Sequence, residues 1–223
     1  ATAAQFDSWL QGLPAGGQVL DAGCGHGDPV IARLLERGFQ VTGIDLSPEM
    51  LRRAQERFPS VPFHNLAVTQ LDREAAFDGA CSLSSMLYLD PIDFFHAIYR
   101  LYRALKPGGL LFLFGMDTHP GWRGHPFDQV LEQWMWSWTR SLPEAVSALE
   151  EHGYFRVLQA VEVTPPKEEE PAPPGASGAG EVIVQNILSL PDDTIPFQLP
   201  PLPKPKRTQA YAYTIIARRN ERD

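Results

Sequence analysis

The chain has 223 residues, 43% of them hydrophobic and 21% charged, with a net charge of −8 and a pI near 5.2. That suffices for one packed α/β domain with a decorated edge. So acidic a chain argues against a nucleic-acid backbone as partner. Lys204, Lys206, Arg207, Arg218, Arg219 and Arg222 would form either a local basic patch or a solvated tail. The two cysteines, Cys24 and Cys81, form no CxxC pair, so no disulfide framework is expected and a reducing cytoplasm fits. The opening Ala1–Asp7 lacks a basic-then-apolar leader pattern, and no apolar run approaches the roughly 20 residues of a membrane span. A cytoplasmic chain without membrane contact is the expectation.

In chain order, Phe6, Trp9, Leu10 and Leu13 recur at helical spacing, which predicts a lid or edge helix over 3–12. Residues 18–22 read as a short buried strand. Asp28-Pro29 then reads as an N-cap with proline at the first helical position, and Gly38 as the helix stop. A second strand over 40–45 is followed by Ser47-Pro48, which opens a helix with Met50, Leu51 and Ala54 inward. Strands over 62–66 and 79–83, a helix over 93–105 and a strand over 110–114 complete the repeating pattern. The last two are separated by the turn Lys106-Pro107-Gly108-Gly109. Strands alternating with helices predict a doubly wound parallel sheet covered on both faces.

Beyond Gly115 the pattern changes. Residues 115–128 read as a loop, and the alternation of Trp134, Trp136 and Trp138 as a strand with one aromatic face. A helix over 143–152 and a strand over 155–163 follow. Residues 165–205 hold 11 of the 21 prolines and the acidic run Glu168-Glu169-Glu170, an inserted excursion in which 181–190 is apolar enough to fold back. Residues 209–217 predict a final strand, paired antiparallel. One domain results: a core over 19–115, a substrate-side region over 116–163, a proline-rich insertion over 164–208 and a last strand over 209–218.

The chemistry lies in the first loop. A buried strand ends at Asp21, and Gly23, Gly25 and Gly27 follow at alternating positions. They permit a tight turn and close approach of a ligand to the backbone. The loop runs into a helix N-terminus, which favours a carboxylate or phosphate. Asp45, at the end of the second strand, can accept hydrogen bonds from both ribose hydroxyls, so an adenosine-containing cofactor is implied. The dinucleotide fingerprint GxGxxG fails at Asp28, and an acid there would oppose a pyrophosphate. S-adenosylmethionine carries cationic ammonium and sulfonium groups, which nearby carboxylates favour.

These residues resemble the class I S-adenosylmethionine-dependent methyltransferases, of the type 11/12-like domain. Val19-Leu20-Asp21-Ala22-Gly23-Cys24-Gly25-His26-Gly27 is similar to the family's first motif. Val41 to Leu51 is similar to the second, and Leu105 to Gly109 to the turn before the fifth strand. The resemblance implies a Rossmann-like seven-stranded mixed sheet with its last strand antiparallel. It implies S-adenosyl-L-methionine as cofactor, with S-adenosyl-L-homocysteine as product. Gly23 and Gly25, with Asp21 and Cys24, would face the methionine part. Asp45 would hold the ribose, with Leu46 on the adenine and Met50 beside it. Ala67 and Val68 would meet the adenine edge where the family often has an acid. Ser82, Leu83 and Ser84 would line the methyl-transfer side, with Tyr88 near a position often held by histidine.

Cys24 reads as a small packing residue rather than a nucleophile. Tyr88 could reach the substrate or cover the sheet edge. His119, His125, Asp117, Trp122, Arg123 and Asp128 cluster in the loop after the fifth strand. His119 and Trp122 are the substrate-side candidates there, and the spacing gives no metal site. The tryptophan stripe could be a substrate wall, core or a dimer face. The reading is a methyltransferase acting on a small molecule, monomeric or homodimeric. Two alternatives stand beside it: an NAD-dependent oxidoreductase, and a non-catalytic S-adenosylmethionine-binding module with a protein partner. No catalytic base is assigned.

Overall fold

In the central strands, neighbouring residues point to opposite faces and both are apolar. Val19 and Leu20, Leu111 and Phe112, and Ile215 and Ile216 are all buried. A strand buried on both sides must lie inside a covered sheet. The computed structural model describes residues 2–116, 125–130, 133–138, 140–163 and 212–221, with backbone alone over 125–130 and 133–137. Its main sheet comprises β1 (Gln18–Ala22), β2 (Gln40–Asp45), β3 (Phe63–Asn65), β4 (Phe77–Leu83), β5 (Leu105–Met116), β8 (Phe155–Val163) and β9 (Ala212–Arg219). The spatial order is β3-β2-β1-β4-β5-β9-β8. β1 to β5 pair in parallel, and β9 runs antiparallel to both β5 and β8. This is the seven-stranded mixed sheet that the resemblance implies.

Helices α1 (Thr2–Gln11), α2 (Val30–Glu36) and α3 (Pro48–Arg57) bury Phe6, Trp9, Ile31, Leu34 and Leu51 on one face with Val19, Cys81 and Phe112. Helices α4 (Pro91–Ala104) and α5 (Leu142–Glu150) bury Phe94, Ile98, Leu101 and Leu149 on the other with Leu20, Leu111 and Ile215. The chain winds outward from β1 to β3, then returns through β4 on the other side of β1. The crevice above the carboxyl ends of β1 and β4 is therefore the topological switch point, where ligands bind in such sheets.

Several boundaries differ from expectation. The 3–12 segment is neither lid nor edge. α1 lies against the sheet with Trp9 fully buried, its indole Nε1 donating to Leu110 O at 3.3 Å and its ring packed with Phe6 and Phe112. Gly79 makes room for it, since a Cβ there would stand 2.8 Å from Leu13 and 3.1 Å from Trp9. Asp28 does not cap α2, which starts at Val30. Its carboxylate pairs with Arg57 at 2.6 Å instead. α4 begins earlier than predicted, because Asp90 caps it by accepting from Asp93 N at 2.8 Å. Met50 is half-buried rather than inward with Leu51 and Ala54.

The predicted 115–128 loop is shorter. Gly115 and Met116 continue β5, paired with Tyr213 and Ala212. His125–Val130 forms β6, antiparallel to β7 (Gln133–Ser137). The sequence pattern flagged the glycines and prolines, but the partner strand β9 comes from about 100 residues away. β9 itself is buried on both faces over Ala212–Ala217, because it lies between β5 and β8. Arg219 is not part of an open basic patch. It bonds Leu105 O and stacks on the Tyr102 ring at 4.6 Å. The excursion over 165–205, with Lys204, Lys206, Arg207 and Arg222, lies outside the described residues. Among the described residues no helix is long and apolar enough to cross a membrane.

Trp9→Ala should cost about 3–5 kcal/mol of stability, since it empties a fully buried aromatic site and takes the indole donor from Leu110 O. Urea denaturation monitored by circular dichroism checks this. A loss below about 1 kcal/mol would mean that α1 is not part of the cooperative core.

Candidate functional site

The loop after β1 is held onto the end of β2 by three hydrogen bonds, and a fourth ties the Asp45 carboxylate to the entry of α3. Gly23 N and Cys24 N both donate to Ile44 O, at 2.8 and 3.0 Å. Gly25 N donates to Asp45 Oδ2 at 2.9 Å, and Ser47 N to Asp45 Oδ1 at 2.8 Å. One carboxylate therefore ties the glycine loop to the entry of α3. Each oxygen keeps a further lone pair for another donor. Asp45 is consequently both a brace and an acceptor, and the spacing of 20 residues from Gly25 is closed by a direct contact.

Gly23 and Gly25 adopt φ of 80° and 53°, in the left-handed region. Gly23 has a second reason to be glycine. A Cβ there would lie 2.2 Å from the Ser85 side chain. Ser85 Oγ lies 2.9 Å from Ala22 O, to which it donates, and 2.7 Å from Ser82 Oγ. The end of β4 is thus fastened to the end of β1 across the switch point. Ser85 carries this contact and stands beyond the predicted set of Ser82, Leu83 and Ser84. Its only sequence signal is its place in that serine run. Ser84 has φ of 58°, an uncommon conformation for a residue with a Cβ. Such strain clusters at functional sites.

Asp21 is 2% exposed. Its Oδ1 accepts from the Cys81 thiol at 3.6 Å, and its Oδ2 has no partner among the described residues. Burial, opposed by the thiol hydrogen bond and aided by the charge of Asp45, pushes its pKa up to about 7. Both cysteine thiols are raised well above their ordinary value by burial and by Asp21. A buried, protonated Cys24 is a packing residue, and its sulfur fills the space in front of Gly43.

The other predicted residues fall around this loop. Leu46 is 65% exposed at the end of β2, with its carbonyl held by Asn65 Nδ2 at 2.9 Å. Ala67 and Val68 are half-buried at a 3₁₀ turn, Val68–Gln70, just beyond β3. Tyr88 ends a second 3₁₀ turn, Met86–Tyr88, and is half-buried. His119 and Trp122 lie outside the described residues, as do Asp117 and Arg123. His125 and Asp128 belong to β6, where backbone alone is described. Trp138 lies past the end of β7, its N–H bonded to Leu87 O at 2.6 Å. Asp28, paired with Arg57, puts no uncompensated charge at the turn, so the argument against a pyrophosphate cannot rest on it.

The sign of the Asp21 effect follows from linkage. Its folded pKa lies above the unfolded value of about 3.9, so the fold is favoured when it is protonated. Stability from this group is complete below pH 4, is lost as pH rises towards about 7 and is level above that. Asp21→Asn should therefore gain on wild type by a few kcal/mol between pH 4.5 and 8, at about 1.4 kcal/mol per unit. Urea titrations of both proteins across that range measure the difference. A difference independent of pH would show that the carboxyl is not titrating there.

The comparisons with known proteins agree with this geometry. The family described as "Methyltransferase domain" matches residues 19–109. A "Putative methyltransferase YqeM" of Bacillus subtilis (strain 168) is 35% identical over 129 residues, 53% of this chain and 49% of that protein. A "27-O-demethylrifamycin SV methyltransferase" of Amycolatopsis mediterranei (strain S699) is 34% identical over 108 residues, 45% of this chain and 39% of that protein. The chain spans about half the length, or less, of these two relatives. In fold it is similar to the Burkholderia thailandensis 1,6-didemethyltoxoflavin-N1-methyltransferase with bound S-adenosylhomocysteine. The TM-score is 0.61 at 22% identity, over 99% of this chain and 77% of that one. Sheet order, glycine loop and the matched segment 19–109 agree in likening this part of the chain to a class I S-adenosylmethionine-dependent methyltransferase domain.

Proposed function

We propose that this chain transfers the methyl group of S-adenosylmethionine to a nucleophile on a small molecule. The observation that carries the reading is the Asp45 clamp. It fixes the glycine loop at the switch point while leaving lone pairs on both carboxylate oxygens. Two further features fit the cofactor. The orphaned, buried Asp21 Oδ2 suits a cationic group, and the left-handed Gly23 and Gly25 backbone admits close approach where a side chain would not fit. Exposed Leu46 offers an apolar surface for adenine, with Ala67 and Val68 at its edge and Met50 nearby. No acid stands at Ala67 or Val68, so adenine is read there by backbone groups.

The bound cofactor supplies a methyl group on a positively charged sulfur, already activated for in-line displacement. The chain's own task is positioning and exclusion of water, which can supply up to roughly 7–11 kcal/mol. Ser85, through Ala22 O and Ser82, sets the end of β4 against the loop, so Ser82, Leu83 and Ser84 stand on the transfer side. Tyr88 borders the same end. A small-molecule acceptor is supported by two relatives whose names specify one, 27-O-demethylrifamycin SV and 1,6-didemethyltoxoflavin. The acidic balance of the chain points the same way.

Calorimetry should show binding of S-adenosylmethionine and S-adenosylhomocysteine, and no binding of either at millimolar concentration would sink the reading. Asp45→Ala should weaken S-adenosylhomocysteine at least a hundredfold. It should also lower stability by roughly 1.5–3 kcal/mol, since two backbone donors lose a charged acceptor. Asp45→Asn retains one acceptor oxygen and separates the two effects. Wild-type affinity in both variants would contradict the ribose assignment.

A further inference from the structure

Next to the proposed transfer side, one cation has no ion-pair partner among the described residues. Arg140 stands between β7 and the Ser141 cap of α5. Its Nη1 donates to Trp138 O at 3.0 Å and its Nη2 to Leu89 O at 2.9 Å. Its guanidinium lies over the Phe94 ring, 3.9 Å from the centroid. These contacts fix the plane of the group and use two of its five N–H donors among the described residues. No carboxylate of the described residues lies within ion-pair distance of it. The groups whose charge it feels are Tyr213 first, then Glu144 and Asp90, and the two carboxylates are engaged as helix caps, Asp90 on Asp93 N and Glu144 on Ser141 N. A partly buried charge held this rigidly without a partner is costly unless something else compensates it.

The guanidinium opens onto a small cleft of about 20 Å³ beyond the carboxyl ends of β4 and β5. Met86, Leu87, Phe94, Phe114 and Trp138 line it with Arg140. The walls are mainly apolar. The volume holds a water-sized group, so it takes the polar end of a ligand and leaves the body at the apolar rim. Met86 and Leu87 follow directly on the Ser82–Ser85 segment, so a molecule anchored here reaches towards the transfer side. Planar, bidentate recognition of a carboxylate is the pairing that a fixed guanidinium favours.

We propose that the methyl acceptor carries a carboxylate on an apolar or aromatic body, and that Arg140 is the residue that selects it. The proposal rests on the methyl-transfer reading for its role. The binding site itself can be tested apart from it.

Benzoate and its neutral isostere benzamide are titrated into the protein with and without S-adenosylhomocysteine, by calorimetry or Trp fluorescence. Wild type should bind benzoate at least tenfold more tightly than benzamide. R140Q should abolish that preference without changing S-adenosylhomocysteine affinity, and R140K should keep part of it. Equal binding of the two probes, undetectable benzoate binding, or a preference that survives in R140Q overturns the proposal. Should R140Q fail to fold, the benzoate-to-benzamide ratio in wild type and R140K decides. If S-adenosylhomocysteine does not bind while benzoate is still preferred, the methyl-transfer reading fails and the carboxylate site stands.

Discussion

The structure of the site depends on one carboxylate. Asp45 receives a backbone N–H on each oxygen, one from the glycine loop and one from the start of α3. Hydrogen bonds to a charged acceptor are roughly twice as strong as neutral ones. They act here between two segments that would otherwise be independent loops. The loop cannot drift from β2, and α3 cannot unwind at Ser47 without breaking the same group. Ser47 adds its own cap on Met50 N. The crevice above β1 therefore has a rigid floor on the β2 side.

On the β4 side the fastening is neutral and steric. Ser85 reaches Ala22 O and Ser82, and it occupies the space that a side chain at Gly23 would need. Glycine at 23 is thus demanded twice, by φ and by contact. The left-handed Ser84 lies between the two bonded serines, where the surrounding hydrogen bonds hold it. Gly115 shows the same logic on β5, because a Cβ there would stand 2.3 Å from the Tyr213 ring. The rim of the cleft is built from such close approaches of backbone to side chain.

Asp21 and Arg140 each lack an opposite charge among the described residues. Asp21 has an unbonded oxygen beneath the loop, and Arg140 contacts two backbone carbonyls and the Phe94 ring beside the cleft. One is suited to a cationic and one to an anionic group. Spare electrostatic capacity counts most in a medium of low dielectric. Cys24 and Cys81 stay protonated and serve packing and the Asp21 hydrogen bond.

Local patterns were readable wherever one stretch of chain settles its own geometry. β1, β2 and β8 stand where the apolar runs predicted them, and Gly38 follows α2 with φ of 80°. The family motif from Asp21 to Gly27 and the place of Asp45 at the end of β2 were legible because each lies in a recognisable motif, while the bond from Gly25 N to Asp45 was not. Asp-Pro dipeptides show the limit. Asp28-Pro29 and Asp90-Pro91 look alike, yet only Asp90 caps its helix. Asp28 is taken by Arg57, almost 30 residues away. Lys106 at the glycine turn similarly proves to grip Asp78, at the end of the sheet remote from the site. By itself the sequence determined the parallel core, the glycine loop and the acid at the end of β2, since those follow from residue type and short spacing. Only the tertiary structure decided that β9 inserts between β5 and β8, that Ser85 closes the site and that Arg140 stands over Phe94. Each of those joins side chains to partners far away in the chain, and no local pattern encodes such a meeting.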